Sequence, residues 1–185
     1  MDERTEKRLI AFASQSVRQY GIRAVRMDTI ARDMGVSKRT LYKEYKSKDN
    51  FIRTCLESYV GRVHNLFRLL RLEATDPLEY LCALTRAFVD NLYKAELAFW
   101  LDITEHYPHV YETIWGIWMS ELETAVGECL QGRWLVDGLD PREYVSALST
   151  LFYQARMAGS PSQSVAYSAY LMLRGSMTME GILRF

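Results

Sequence analysis

Apolar residues recur along this chain at the three- and four-residue spacing of one helix face, and no stretch alternates apolar and polar residues as a half-buried strand does. The pattern therefore predicts an all-α protein. The first predicted helix carries an apolar stripe of Leu9, Phe12, Ala13, Val17 and Tyr20. Gly21 ends this helix, because glycine tolerates the backbone conformation in which many helices terminate.

A helix-turn-helix is predicted over residues 27–45. Its first helix carries the stripe Met27, Ile30, Ala31 and Met34. Gly35 suits the turn, and the side chain of Ser37 can accept the free N–H groups at the start of the second helix. In that second helix, Leu41 and Tyr45 are spaced to face inward. The alternative interpretation is an ordinary helical hairpin with a solvated basic face.

The outward face of the second helix is rich in basic and hydroxyl side chains, which suit the major groove of DNA. The residues expected to contact base edges are Lys38, Arg39 and Thr40. The residues expected to hold phosphates are Tyr42, Lys43, Lys46 and Lys48. For the last two the alternative is that they are ordinary surface lysines. The predicted DNA-binding segment begins at Ser37.

A long helix and five further helices are predicted after this segment. Residues 48–71 carry an unbroken apolar stripe and would form a rod of about 36 Å. Asp76, Asp140 and Ser160 each precede a proline, an arrangement typical of a helix start. The further helices are expected at residues 77–93, 95–106, 109–131, 141–158 and 162–180.

The order of these features resembles the TetR-type (tetracycline-repressor-like) bacterial transcriptional regulators. The resemblance covers about residues 6–57. It is carried by Tyr20-Gly21-Ile22, Met27-Asp28-Thr29-Ile30-Ala31, Gly35-Val36-Ser37, Thr40-Leu41-Tyr42, Tyr45, Lys48 and Phe51. One residue departs from it, because Arg26 stands where the family usually has a Ser or Thr that caps the second helix. That cap is either absent or supplied from elsewhere, and Arg26 is expected to meet a DNA phosphate instead.

The resemblance implies a three-helix DNA-binding domain at residues 1–47. It also implies a helical ligand-binding and dimerisation domain at residues 48–185, with residues 48–71 as the connector. A homodimer would read a near-palindromic operator and repress transcription until a small molecule binds. The long helix would transmit binding by changing the separation of the two recognition helices. An alternative function is a regulator whose C-terminal domain binds a partner protein and has no small-molecule pocket.

The distribution of charge agrees with a DNA-binding head. The formal net charge of the whole chain is zero, which alone would argue against nucleic-acid binding. Residues 1–71, however, contain 16 Lys and Arg against 8 Asp and Glu, whereas residues 72–185 contain 7 against 15. A basic N-terminal part joined to an acidic C-terminal part is the expected pattern for a DNA-binding domain on a partner domain.

The C-terminal part also contains material for a small-molecule pocket, since such sites are mostly apolar and aromatic with a few polar groups. The candidate residues are Phe88, Phe99, Trp100, Asp102, Ile103, Trp115, Trp118, Met119, Phe152 and Tyr153. Asp102 shares a helical face with Ile103, so a carboxylate in apolar surroundings would favour a cationic ligand. The effector is therefore expected to be hydrophobic or cationic. The alternatives are plain core for the apolar residues and a solvated helix-end acid for Asp102.

The last two predicted helices are the expected dimer interface, because in the family the final two helices of each subunit form a four-helix contact. The candidate interface residues are Tyr144, Leu148, Leu151, Ala155, Val165, Ala169, Leu173 and Met177. The alternative is that both stripes simply close the core of the subunit.

Several other classes of protein are not favoured by the sequence. No apolar run approaches the roughly 18 residues that a membrane helix needs, so a cytoplasmic protein is expected. No Gly-rich phosphate loop, Gly-x-Ser-x-Gly elbow or zinc-protease motif occurs, so the chain is not expected to be an enzyme. The cysteines form no CxxC pair, and Pro108 lies between His106 and His109. Neither a metal site nor a cofactor is expected.

Overall fold

The computed structural model describes residues 1–184, which form ten α-helices. Their bounds are α1 Glu3–Tyr20, α2 Met27–Asp33, α3 Lys38–Tyr45, α4 Lys48–Glu73, α5 Pro77–Lys94, α6 Leu97–His106, α7 Pro108–Gln131, α8 Pro141–Met157, α9 Ser162–Gly175 and α10 Met179–Arg184. Within the described residues there is no β-strand, and one isolated bridge joins Leu135 to Met177. The prediction of an all-α protein is confirmed.

The helices divide into two compact units. Unit 1 comprises residues 1–64 and 94–112, and therefore includes α1, α2, α3 and α6. Unit 2 comprises residues 65–93 and the chain from residue 113 onward. Helix α4 is continuous and has residues in both units. The predicted domain boundary after residue 47 stays a prediction, and the inclusion of α6 in unit 1 is not indicated by the sequence pattern.

Two of the three predicted helix starts have the expected capping bonds. The carboxylate of Asp76 accepts the N–H of Glu79 at 2.9 Å, and that of Asp140 accepts the N–H of Arg142 at 2.8 Å. Each bond satisfies a backbone donor that the first helical turn leaves free. The third start differs, because α9 has Pro161 at its N-cap position and no side-chain cap.

The prediction of one helix over residues 162–180 is wrong. The chain forms α9 and α10 instead, because the backbone between them pairs with the segment that follows α7. The N–H of Val136 donates to the carbonyl of Ser176 at 2.9 Å, and the N–H of Thr178 donates to the carbonyl of Trp134 at 2.9 Å. These bonds satisfy backbone groups that a continued helix would have paired internally.

The core of unit 1 forms where its first four helices bury their apolar faces. Fully buried side chains from these helices include Leu9, Ala13, Leu41, Phe51 and Ile52. The buried stripe of α1 is narrower than the sequence predicts, since Phe12 is half-buried and Tyr20 is exposed. The helix-turn-helix segment therefore packs on a continuous apolar layer supplied by α1 and α4.

The link between α1 and α2 is held by a glycine and by a carboxylate from α6. Gly21 has φ +84° and ψ +161°, a conformation that is strained for every other residue. A Cβ at this position would lie 2.9 Å from Oδ2 of Asp102 and 3.2 Å from Cβ of Ala98. The same Oδ2 accepts the N–H of Arg23 at 3.0 Å. Helix α6 therefore fixes the path by which the chain enters α2.

We expect Gly21→Ala to lower the free energy of unfolding by about 2–3 kcal/mol, because it combines backbone strain with a collision against α6. Gly35→Ala is the matched control, because Gly35 also has a positive φ but has no heavy atom within 4 Å of the added Cβ. Its expected cost is about 1 kcal/mol. Denaturant unfolding followed by circular dichroism measures both values. Equal losses would show that the close approach of α6 contributes nothing.

Candidate nucleic-acid interface

A sharp turn joins α2 to α3. The chain leaves α2 through Met34 and then Gly35, which has a positive φ of 66°. The N–H of Val36 donates to the carbonyl of Ala31 at 2.9 Å and closes the turn. The predicted helix-turn-helix is therefore confirmed, with the glycine at the position where a left-handed residue is required.

The inner face of α3 is fixed by two buried side chains. Leu41 is fully buried, and only 7% of Tyr45 is exposed. The ring of Tyr45 lies 4.9 Å from that of Phe51, and its hydroxyl donates to Glu6 at 3.2 Å. Burial, followed by the charge of Glu6, raises the pKa of Tyr45, so the phenol stays neutral and keeps its donor. Helix α3 thus presents its outer face in a fixed orientation.

The predicted N-cap at Ser37 is confirmed. Its Oγ accepts the N–H of Thr40 at 3.0 Å and lies 2.7 Å from the Thr40 hydroxyl. The cap satisfies one of the free donors at the start of α3, and the second contact orients the half-buried Thr40 side chain. Ser37 therefore acts on the first turn of the recognition helix.

The outer face of α3 exposes Lys38, Arg39, Tyr42 and Lys43. Lys38 is paired within the protein, since its Nζ lies 2.7 Å from Oδ1 of Asp28 on α2. Hydrogen bonding to Asp28 raises the pKa of Lys38, and the same bond lowers the pKa of Asp28. Both groups therefore stay ionised at neutral pH. Asp28 offsets part of the positive charge that Lys38 would bring to DNA.

The segment between α3 and α4 carries the other two predicted phosphate ligands. Lys46 follows α3 with a positive φ of 66°, and its Nζ donates to the carbonyl of Lys43 at 2.8 Å. Lys48 donates to the carbonyl of Arg23 at 3.4 Å, and burial lowers the pKa of Lys48 while the charge of Asp102 opposes that shift. An ammonium group has three donors, so each lysine can also bind a phosphate oxygen.

Arg26 occupies the N-cap position of α2, and no side-chain hydrogen bond caps the helix there. The residue at the usual capping position therefore does not cap α2 with its side chain. The Arg26 side chain is exposed, and its charge acts on both Asp28 and Lys38. It thus lies beside the paired charges at the start of α3.

The predicted pocket residues fall into two groups that belong to different units. In unit 1, α6 carries Phe99, Trp100, Asp102 and Ile103. In unit 2 are Phe88, Trp115, Trp118, Met119, Phe152 and Tyr153. Asp102 is buried, and it borders an open surface pocket of about 620 Å³ together with Tyr20, Arg23 and Glu105. Its Oδ2 already has a partner in the Arg23 N–H.

The unit 2 group forms an aromatic cluster. The ring of Phe88 lies 5.6 Å from that of Trp115 and 5.3 Å from that of Trp118, and Trp115 lies 5.5 Å from Tyr153. Two polar atoms of this region, Nε1 of Trp118 and Oγ1 of Thr85, are buried and have no hydrogen-bond partner among the described residues. Sequence reasoning missed Thr85, because one threonine on an apolar helix face gives no signal.

Seven of the eight predicted dimer residues lie on α8 and α9, on more than one face of these helices, and Met177 lies between α9 and α10. Five of them are buried within unit 2: Leu148, Val165, Ala169, Leu173 and Met177. Tyr144 and Ala155 are half-buried, and Leu151 is exposed. The large exposed apolar side chains of these two helices are Leu151, Tyr167, Tyr170 and Leu171. Most of the predicted residues therefore lie in the core of unit 2, and the exposed apolar set shares only Leu151 with the prediction.

The structure also bears on metal binding, membrane spans and the three cysteines. Among residues 1–184, no group of three or more His, Cys, Asp or Glu side chains is placed to hold a metal ion. None of the helices described above is both long and apolar enough to cross a membrane. Cys55 and Cys129 are buried and Cys82 is half-buried. Burial raises the pKa of all three to about 12, so they remain thiols.

The N-terminal part of the chain is similar to a known protein family. The family model described as bacterial regulatory proteins, tetR family, matches residues 9–55. A curated relative, the uncharacterized HTH-type transcriptional regulator YvaF of Bacillus subtilis (strain 168), is 32% identical over 63 residues. That match covers 34% of this chain and 33% of the relative, so it spans about one third of either protein.

Solved structures resemble the chain over nearly its whole length. A candidate transcriptional regulator from Saccharomonospora viridis, in complex with choline, has a TM-score of 0.82 at 16% identity and covers 95% of this chain and 98% of that one. SCO4454, a TetR-family transcriptional regulator from Streptomyces coelicolor, has a TM-score of 0.72 at 19% identity and covers 92% and 93%. These likenesses show the fold.

Proposed function

We propose that this chain is a transcriptional regulator of the TetR type that binds operator DNA in the cytoplasm. The family match over residues 9–55 and the fold support this proposal. The observation that carries the proposal is the exposed basic face of α3, whose opposite face is buried and fixed. A rigid helix with basic residues at its N-terminal end fits the major groove. The proposed activity is binding and release, without catalysis.

Contacts to DNA divide between bases and phosphates. Arg39 is the main proposed base reader, because it is exposed in the first turn of α3, whereas Lys38 shares its charge with Asp28. Thr40 lies beside them, held by the N-cap. The proposed phosphate contacts are Arg26, Tyr42, Lys43, Lys46 and Lys48.

The protein binds DNA as a homodimer. The two subunits contact one another through the exposed faces of α8 and α9. On α9, Tyr167 and Leu171 are 63% and 49% exposed, and Leu151 on α8 is 46% exposed. Large apolar side chains at helical spacing on an outer surface favour burial against a second copy. Two copies would present two recognition helices to a near-palindromic site.

The regulator represses transcription until a small molecule binds the aromatic cluster of unit 2. The support is the pair of unpartnered polar atoms on Thr85 and Trp118, because a buried unpaired donor costs about 1–3 kcal/mol and a ligand oxygen could satisfy it. We therefore propose a hydrophobic effector with a hydrogen-bond-accepting oxygen. A cationic effector is the second candidate, favoured by the choline complex of the Saccharomonospora viridis protein.

We expect Lys48→Ala to weaken binding to every DNA sequence and to reduce the slope of log affinity against log salt by about 1, since one phosphate contact is lost. Arg39→Ala should instead reduce the preference for the operator by about 1–3 kcal/mol. Fluorescence anisotropy with duplexes from the upstream region and of random sequence, across a salt series, measures both. Arg68→Ala, an exposed charge change on α4, is the control.

An unchanged salt slope for Lys48→Ala would exclude its phosphate contact. Weak binding by the unmodified protein, equal for both duplexes, would contradict operator reading. It would favour the alternative in which the C-terminal domain binds a partner protein.

We expect Leu171→Arg to convert the dimer to a monomer, because the interface would have to bury an unpaired guanidinium. Leu72→Arg places the same charge at a 71% exposed leucine of α4 and should leave the dimer intact. Light scattering coupled to gel filtration gives the mass of each species. A dimer that survives Leu171→Arg, or a monomeric unmodified protein, would contradict the proposed interface.

We expect Thr85→Val to leave the free protein as stable or to stabilise it by about 1 kcal/mol, because it removes an unpaired buried hydroxyl without changing shape. The same change should weaken a ligand that bonds to this hydroxyl about threefold to tenfold. A thermal-shift series with apolar ketones and the matching hydrocarbons tests this. Thr124→Val, whose hydroxyl donates to the Ser120 carbonyl at 2.8 Å, is the control. Equal shifts for ketones and hydrocarbons would exclude the proposed hydrogen bond.

A further inference from the structure

A second basic site lies in unit 1, on helices other than α3. An open pocket of about 490 Å³ is lined by Ala11, Gln15, Arg18, Gln19, Arg62 and Lys94. Three of these six side chains are cationic, two are amides, and none of them is acidic. Every hydrogen-bonding group except the two amide oxygens is a donor, so the pocket has the composition of an anion site.

The helices bring these donors together by their regular spacing. The four α1 residues stand at positions i, i+4, i+7 and i+8, which places them on one helical face. Lys94 is held beside them because the N–H of Glu96 donates to the carbonyl of Arg18 at 2.8 Å. Arg62 is oriented by a bond from its Nη1 to the hydroxyl of Ser58, at 2.9 Å on the previous turn of α4.

Two guanidinium groups of the pocket contact the ring of one buried tyrosine. Tyr59 is 4% exposed, and the Cζ atoms of Arg18 and Arg62 lie 4.9 and 5.8 Å from the centre of its ring. Cation–π contact holds both groups there although their charges repel. Burial, and then the charge of Arg18, lowers the pKa of Arg62, which nevertheless stays protonated at neutral pH.

The position on α4 separates this pocket from the DNA-binding face. Arg62 follows Lys48 by about four turns of the same helix, a distance of roughly 21 Å. It is also distinct from the aromatic cluster, whose residues belong to unit 2. The proposed operator contacts and the proposed effector site include none of the residues that line this pocket.

We propose that the pocket lined by Arg18, Arg62 and Lys94 binds a small soluble anion that carries a phosphate group. A phosphate dianion offers three oxygens, so it can accept from a planar guanidinium and a neighbouring ammonium at the same time. The carboxamides of Gln15 and Gln19 supply further donors at the rim. The regulator would thus sense a phosphate compound at a second site.

Isothermal titration of the DNA-free, full-length protein with inorganic phosphate and with glycerol phosphate tests the proposal, with sodium chloride at matched ionic strength as the blank. We expect saturable binding that Arg62→Gln weakens by at least about tenfold. Arg68→Gln, an exposed arginine of the same helix outside the pocket, should leave the affinity unchanged. Lys94→Gln provides a second, peripheral variant should Arg62→Gln fold poorly, with an expected weakening of about threefold.

The two ligands distinguish the source of the phosphate. Equal affinity indicates free phosphate, and tighter binding of the ester indicates a phosphorylated metabolite; either result supports the site. Absence of saturable binding would overturn the proposal. Binding that survives both pocket substitutions but is lost in Lys43→Gln would also overturn it, because the anion would then occupy the DNA-binding face.

Discussion

The position of the recognition helix depends on how one residue, Arg23, is held through its backbone. Its N–H donates to the carboxylate of Asp102 on α6, and its carbonyl accepts from the ammonium of Lys48 at the start of α4. These two side chains have opposite charge and attract one another across the link. The absence of a side chain at Gly21 lets α6 approach closely enough for this arrangement. The chain therefore enters α2 along a single path.

This arrangement places Lys48 at both the link and the proposed DNA-binding surface, and its three N–H donors can serve both. In the free protein the group faces the carbonyl of Arg23 at 3.4 Å, a weak contact. A DNA phosphate carries a full charge and would be the stronger acceptor.

The sequence predicts the helix-turn-helix well because the residues that determine it act locally. Gly35, Ser37 and the spacing of Leu41 and Tyr45 each act within a few residues, and the structure has the turn, the cap and the buried face at those positions. The partner of Asp102 could not be predicted in this way. It is 79 residues distant along the chain, and no periodicity encodes which backbone donor a carboxylate will meet.

Local patterns also cannot predict which partner covers α8 and α9, or whether the aromatic residues line a pocket. An apolar stripe, such as the one that contains Leu148 on α8 or the one that contains Leu173 on α9, predicts that a helix face is buried, but not whether the covering helix belongs to the same subunit. Tyr167 and Leu171 also have helical spacing, yet they are exposed. For the aromatic residues, ring type and spacing are compatible with core and with pocket alike. The buried hydroxyl of Thr85, which has no hydrogen-bond partner among the described residues, is the observation on which we base the proposal of a pocket.

Formal charge also overstates what the head offers to DNA. Asp28 lies 2.7 Å from Lys38 and offsets its charge, and Arg62, one of the two cations beside Tyr59, follows Lys48 by about four turns of α4. The salt dependence of binding counts the phosphates that are neutralised, not the net charge of the domain. The excess of basic residues in the first 71 positions therefore serves at least two purposes. We propose that one part contacts the duplex and that another part, Arg18 and Arg62, binds a small anion.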